Sequence, residues 1–377
     1  MLILGIIVGL FVLVVLVVLH ELGHAIVARR NGVVVEEFGV GFPPRAWKKK
    51  LKNGVTFTLN WLPLGGFVKL QGEHDSASKK GDYGAVSFWA KTKILLAGVF
   101  VNWITAVVLL AVVALFGLPK ITDNQFSIPS DSVITRTPVA IGVVQAESPA
   151  STAGFLAGDE IISVAGEKVE TSAQFIQKTK AKRGEVVEVR YRRDGDEQAS
   201  TVALRDADSA VFGASLSQQE TIRATWSAPI VGAVTSVQYT WVTLEGLGQM
   251  VGDFFSGLFG QLSFDQATRE ISGQKLENAG ANVAGPIGIL AVIFPAASQA
   301  GILQVVFLAA IISLTLAVMN LLPIPALDGG RWFVTAIFRL IKKPLKKSTE
   351  ENIHGTGFMV LMGLIILVTI ADVAKLF

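Results

Sequence analysis

His20-Glu21-Leu22-Gly23-His24 closes the most apolar run of this 377-residue chain, and its reading decides the fold. Met1 to Leu19 holds no charged residue. A bilayer-spanning helix needs about 20 apolar residues at 1.5 Å rise per residue. On such a helix positions i and i+4 share a face, so His20 and His24 can address one metal ion. Glu21 is placed to act as general base on water at that metal. Ionisable groups at membrane depth are costly, and three together mark a functional site.

Composition supports a membrane protein. Hydrophobic residues make up 51% of the chain and charged residues 17%, against about 25% charge in soluble domains. The net charge is only +3, so the distribution of charge is more informative than its sum, and nothing points to a nucleic-acid partner. With no cysteine, disulfides and Cys-zinc sites are excluded, and a zinc site must use histidine and carboxylate. The first apolar run lacks a basic n-region and an A-x-A-like cleavage site, so it is expected to remain as a permanent span.

Working outward, four segments read as spans: Leu2–Val27, Leu95–Leu118, Ile302–Leu322 and Gly355–Ala371. The connections 28–94 and 339–347 are strongly basic, with Lys48-Lys49-Lys50 in the first and Lys342, Lys343, Lys346 and Lys347 in the second. The positive-inside rule places both in the cytoplasm and both termini outside. The expected fold class is therefore an α-helical polytopic membrane protein with four transmembrane helices, a membrane-associated β-hairpin and an inserted extracytoplasmic α+β domain. The expected divisions are 1–29, 30–94, 95–118, 119–210 with a core at 138–205, 211–300, 301–331, 332–354 and 355–377. The site would lie near the cytoplasmic side of the cell membrane.

The first loop predicts β structure. Val55 to Trp61 alternates, Leu62 to Gly66 turns, and Phe67 to Leu70 returns, which reads as a hairpin able to hold an extended substrate at its edge. In the middle section, Val139–Val144, Glu160–Ala165, Glu185–Tyr191 and Ser200–Leu204 read as strands and Ser172–Ala181 as a groove-lining helix, suited to binding peptide or to serving as a spacer. Pro229–Gly260 is apolar with few charges. A fifth span there would invert the basic loop that follows, so one or two amphipathic helices on the outer membrane surface are expected.

Asn320-Leu-Leu-Pro323-Ile-Pro325-Ala-Leu-Asp328-Gly329-Gly330 ends the third span. The two prolines stop the helix, and irregular backbone at that depth survives only when buried or lining a wet cavity. Asp328 then falls at the membrane level of His20 and His24. Two histidines and one carboxylate leave a fourth position open, as catalytic zinc sites do. The alternative is that Asp328 merely caps the next helix. His74 and His354 read as surface groups.

These residues resemble the site-2 protease family of intramembrane zinc metalloproteases, in its bacterial RseP/RasP-like branch with a single PDZ domain. The resemblance rests on His20-Glu21-x-x-His24, the Asn320–Gly329 segment, Gly65-Gly66-Phe67-Val68-Lys69, Ala284–Gly288 and the β-rich insertion, and it covers nearly the whole chain. It implies one Zn2+ held by His20, His24 and Asp328, with Glu21 as catalytic base. It implies that Asn320, with Pro323 and Pro325 in its segment, helps hold unwound substrate, and that Gly65 to Lys69 pair with substrate backbone. The implied partners are single-pass transmembrane substrates, peptide segments at the PDZ groove, the lipid bilayer and an upstream site-1-type protease. One PDZ-like domain stands where a well-known enterobacterial member has two, so a two-domain size filter does not carry over. The competing classes are a non-proteolytic metal-handling membrane protein, with the triad as a transport relay, and a PDZ membrane scaffold with a dead metal site. Glu21 separates hydrolase from relay, because only the hydrolase needs its carboxylate to move a proton.

Overall fold

The computed structural model describes residues 2–263, 265–281 and 284–376. The chain divides into two compact units, Met1–Phe116 with Trp226–Phe377, and Gly117–Thr225.

In the first unit α1 (Leu2–Arg30) is one uninterrupted helix. Toward its polar end His20, Gly23, His24, Ala25 and Ala28 are buried, and its opposite end exposes Ile3, Leu4, Ile7 and Phe11. Apolar side chains without protein partners on a long helix are what lipid contact requires. After α1 come two long strands, β1 (Val35–Lys50) and β2 (Thr56–Leu70). Each is bent, and the register yields four strand segments in the order 66–70, 35–40, 56–60, 45–50. The expected hairpin between 55–61 and 67–70 is thereby corrected: Phe38 pairs with Val68 on one side and Phe57 on the other, so 35–40 lies between them. The arrangement buries Val35, Val55 and Leu70 against Ala25 and Ala28 of α1. Segment 66–70 is left as an edge.

Helix α2 (Phe88–Leu95) is capped by Ser87, whose hydroxyl accepts from the Ala90 N–H, and leads into α3 (Ala97–Phe116). Together they form the second of four helices, among the described residues, that are long and apolar enough to cross a membrane. The four are Leu2–Arg30, Phe88–Phe116, Ile302–Leu321 and Lys347–Ala374.

The second unit begins with β3 (Leu118–Pro119), β4 (Val133–Arg136) and β5 (Val139–Val144). It continues through α4 (Pro149–Thr152), β6 (Glu160–Val164), β7 (Glu167–Lys168) and α5 (Ser172–Ala181). It ends with β8 (Val186–Arg193), β9 (Asp196–Ala203), β10 (Ala214–Ser217) and β11 (Glu220–Arg223). The main sheet runs β10-β5-β6-β8-β9, with β7 on β6, and β3-β11-β4 form a second sheet. Strands β10 and β11 therefore extend the unit past the expected boundary at 210. They are short four-residue pieces whose partners lie far back in the chain, as in Leu216 with Ile141, Thr221 with Thr135 and Thr221 with Pro119. Phe155, Phe175 and Phe212 meet edge to face at ring separations of 4.9 and 5.2 Å in the core.

Asp159 is 1% exposed and receives two hydrogen bonds from the Arg193 guanidinium, at 2.7 and 2.6 Å. Burial alone would raise its pKa. The Arg193 hydrogen bonds, the Leu156 N–H and the Arg193 charge outweigh burial and hold it below its ordinary 3.8. A depressed carboxylate stabilises the fold above its unfolded pKa and loses that contribution as pH falls through the folded value. Asp159→Asn is expected to destabilise this unit by about 3 kcal/mol, the low end for breaking a buried pair because Arg193 keeps contact with water. It should also flatten the acid limb of stability below pH 3.8. Hydrogen exchange of residues 139–217 against pH reads both effects, and wild-type protection in the variant would refute them.

Back in the first unit, α6 (Ala228–Gly260) is a single 33-residue helix. Its Gly232 sits directly on α3, where an added Cβ would lie 2.6 Å from the Ala111 nitrogen. The first half of α6 therefore packs lengthwise on a span. Small residues at such a crossing let backbones approach closely. Helix α7 (Gln266–Ala281) follows. Then α8 (Pro286–Gly288), a π-helical turn at Ile289–Ile293 and α9 (Phe294–Ala300) lead to α10 (Ile302–Leu321). Phe294 and Pro295 lie against Gly9 and Gly5 of α1. The chain ends with α11 (Asp328–Leu340) and α12 (Lys347–Leu376).

Candidate active site

The site is built from three elements. His20 and His24 lie one turn apart on α1, both buried. Asp328 opens α11, just past the link containing Pro323 and Pro325, so it is delivered by the end of α10. Residues 329 and 330 must be glycine there, because a Cβ at Gly330 would fall 1.9 Å from the Ile324 carbonyl oxygen. Arg331, one turn on from Asp328, donates to the Glu73 carboxylate and carbonyl at 2.8 and 2.9 Å. Trp332 Nε1 donates to Thr92 at 3.0 Å. These bonds fasten the start of α11 to the strand loop and to α2.

The three donor atoms converge. Asp328 Oδ2 lies 3.1 Å from His20 Nε2 and 3.2 Å from His24 Nε2, and the two Nε2 atoms are 3.1 Å apart. A tetrahedral zinc with arms of about 2.0–2.1 Å requires ligand atoms about 3.3–3.4 Å apart, so the triangle is close to the required size. His24 Nδ1–H donates to the Ile94 carbonyl at 2.7 Å, which leaves Nε2 of the neutral ring as a lone pair for metal. The flank is kept open by Gly98 of α3, where a Cβ would stand 2.4 Å from His24 Nε2 and 2.6 Å from His20 Nε2. Two imidazoles and a carboxylate in a chain without cysteine suit zinc. Among the described residues they form a group of three metal-type donors within 4.8 Å of one another.

Beside the triad lies a cavity of about 200 Å³ lined by Glu21, His24, Asp328, Phe67 and Val68 among others. Val68 and Glu21 line this cavity together. At Gly66 an added Cβ would meet Glu21 Cγ and Val17 at 3.4 Å, so the edge segment 66–70 rests on α1 beside the histidines. The structure thus brings His20, Glu21, His24, Asp328, Gly66, Phe67 and Val68 together. Gly65 sits at the bend of β2 with φ +99°. Lys69 pairs with Glu36 at 2.9 Å and is exposed. Asn320 turns its amide back onto the Leu316 carbonyl at 3.0 Å. Pro323 and Pro325 shape the link before Asp328. None of these five lines the cavity. Residues that the sequence reading passed over are Gly98, Ile94 and Asn102. An asparagine inside an apolar span was a usable signal for the last.

Fold and site together define a multi-pass membrane protein with two histidines and one carboxylate grouped so that they could hold a metal ion. The chain belongs to peptidase family M50, matched over residues 8–364, the site-2 protease family of zinc metalloproteases that its motifs resemble. A Clostridium perfringens protein named as a zinc metalloprotease is 31% identical over 358 residues, 95% of each chain. The zinc metalloprotease RasP of Geobacillus kaustophilus is 26% identical over 96% of each chain. The regulator of sigma-W protease RasP of Bacillus subtilis is 25% identical over 96% of each chain. Among solved structures, the PDZ domain of an SdrC-like protein from Listeria monocytogenes aligns with 21% of this chain and 86% of its own, at 24% identity and a TM-score of 0.19.

Proposed function

We propose that this chain is an intramembrane zinc endopeptidase that hydrolyses peptide bonds within or near the membrane-spanning segment of single-pass proteins. The observation that carries the reading is that His24, Asp328, Glu21 and the strand edge at Phe67 and Val68 line one cavity, with His20 grouped on the same donors. A transmembrane helix hides its own peptide bonds, since each backbone group is satisfied within the segment. Cleavage requires local unwinding, and the freed groups need new partners. The edge of 66–70 offers backbone N–H and C=O groups for that purpose, with Phe67 and Val68 against the cavity. Asn320, at the end of α10, supplies an amide that can exchange its Leu316 bond for substrate backbone.

His20, His24 and Asp328 would hold the zinc. Bound there, zinc supplies Lewis-acid polarisation of the scissile carbonyl and acidifies water for attack. Glu21 takes the proton from the attacking water on its carboxylate and passes it to the leaving amine. The cavity has room for a few waters, the co-substrate of hydrolysis.

In the β-rich unit, a cavity of about 310 Å³ runs between α5 and the segment 208–216, lined by Phe175, Ile176, Thr179 and Leu216. Strand β10 is the outer strand of its sheet, which suits addition of an extended peptide as a further strand. We assign this unit as a PDZ-like peptide-binding unit that selects substrates already trimmed by another protease. By the basic loops, the site lies near the cytoplasmic face and both termini lie outside.

The test uses purified protein in detergent and a single-pass substrate. About one zinc per chain is expected, with cleavage abolished by 1,10-phenanthroline and restored by zinc. Asp328→Ala should lose both metal and cleavage, with mass spectrometry locating the wild-type cut inside the substrate's span. Zinc at full occupancy in Asp328→Ala would break the proposed site. Equal cutting of trimmed substrates and substrates with bulky ectodomains would break the selection by prior trimming.

A further inference from the structure

Asn102 lies in the second turn of α3, 1% exposed, in a helix without a charged residue. A buried amide at that depth is unfavourable unless it serves a partner. Its backbone carbonyl is already used, accepting from Ser313 Oγ of α10 at 2.8 Å. Its side chain has one neighbour of note: the amide nitrogen position lies 3.2 Å from His20 Nδ1. The other end of the amide, Oδ1, is buried and has no hydrogen-bond partner among the described residues.

The two ends of an amide are assigned from their hydrogen-bond network rather than observed. Here the network alone does not decide, since either orientation leaves one end unpartnered. The chemistry of the ligand does. His20 can give Nε2 to a metal only if the neutral ring carries its proton on Nδ1. That N–H then requires an acceptor, and the group facing it is the Asn102 amide. We infer that Asn102 turns its oxygen toward His20 and accepts from Nδ1–H, making it a positioning residue that fixes the tautomer and ring orientation of a zinc ligand. His24 is treated in the same way by a different group, the Ile94 carbonyl at 2.7 Å. Both imidazoles are thus oriented from the α2–α3 side, one by backbone at residue 94 and the other by a side chain two helical turns on. Partners of this outer kind set ligand basicity and geometry. The opposite orientation, with the amide donating to Nδ1, would put the ring proton on Nε2 and close His20 to metal.

This inference rests on the proposed zinc site, and the experiment separates the two. Zinc affinity of the full-length protein in detergent is measured by competition with a chromophoric chelator, with thermal unfolding of each variant alongside. Asn102→Leu keeps the volume and removes the acceptor. Asn102→Ala removes the acceptor without added bulk. Both are expected to weaken zinc binding by about 10- to 100-fold. Asn102→Asp keeps an acceptor at the same place and is expected to hold zinc as tightly as wild type or more tightly. A residue that only filled space would show no such rescue by aspartate. If Leu and Ala bind zinc like wild type, or if Asp weakens it as much as they do, the positioning role is overturned while the site stands. If the wild type itself binds no zinc, or Asp328→Ala keeps it, the site fails and the role of Asn102 with it.

Discussion

Glu21→Gln is expected to leave zinc bound and to lower cleavage by about 1,000-fold, the middle of the range for loss of a general base and about 4 kcal/mol of transition-state stabilisation. Glu21 is not one of the three converging donors, so its replacement leaves the ligand set complete. It lines the cavity beside Asp328 and His24. Glutamine keeps nearly the same volume there and an amide oxygen that can still accept a hydrogen bond. What the amide cannot do is take a proton from water and release it to an amine. Metal analysis and single-turnover cleavage on the same preparation check both halves. Cleavage at the wild-type rate would show that Glu21 is not the base of the hydrolysis. Loss of zinc would mean that Glu21 belongs to the ligand set and that the roles are misassigned.

What could be read from sequence followed from how far apart the informative residues lie. His20, Glu21 and His24 are one turn of a helix, and the end of an apolar run fixes their depth. Asp328 is 308 residues from His20, yet it was legible because Pro323 and Pro325 end a second apolar run at the same depth. Strand order was not legible. Periodicity marks 55–61 and 67–70 as strands but is silent on which strand lies between them, and residues 35–40 take that place through contacts 20 to 30 residues away. For the same reason β10 and β11 were separated from the unit they complete. The buried side of α6 was hidden because several of its positions are small or polar: Gly232, Thr235 and Ser236 do not stand out on a hydropathy scale. The most consequential omission was Gly98, where the decisive feature is the absence of an atom.

Gly98→Ala adds one methyl carbon, and we expect it to cost the protein its metal while sparing the fold. In a helix alanine is favoured over glycine by about 1 kcal/mol, and over-packing costs about 1–3 kcal/mol. The net change in stability is therefore expected to be small. The site has no such tolerance. The new Cβ would lie 2.4 Å from His24 Nε2, 2.5 Å from His20 Cε1 and 2.6 Å from His20 Nε2, well inside van der Waals contact. The rings have little freedom to retreat. His24 is held by the Ile94 carbonyl and His20 lies against Asn102. Helix α1 itself is seated on α3 at Gly23, where a Cβ would already stand 2.9 Å from the Ala97 carbonyl oxygen. Displacing a first ligand should cost at least as much as losing an outer partner, so zinc affinity should fall by at least about 100-fold. Gly363→Ala in α12 is the matched control, because nothing lies within 4 Å of its added carbon, and it should bind zinc like wild type. Chelator competition and thermal unfolding on the two variants decide the point. Wild-type affinity in Gly98→Ala would show that the helix pair can part without losing the triad, and the close seating of α1 on α3 would no longer explain how the two histidines are held.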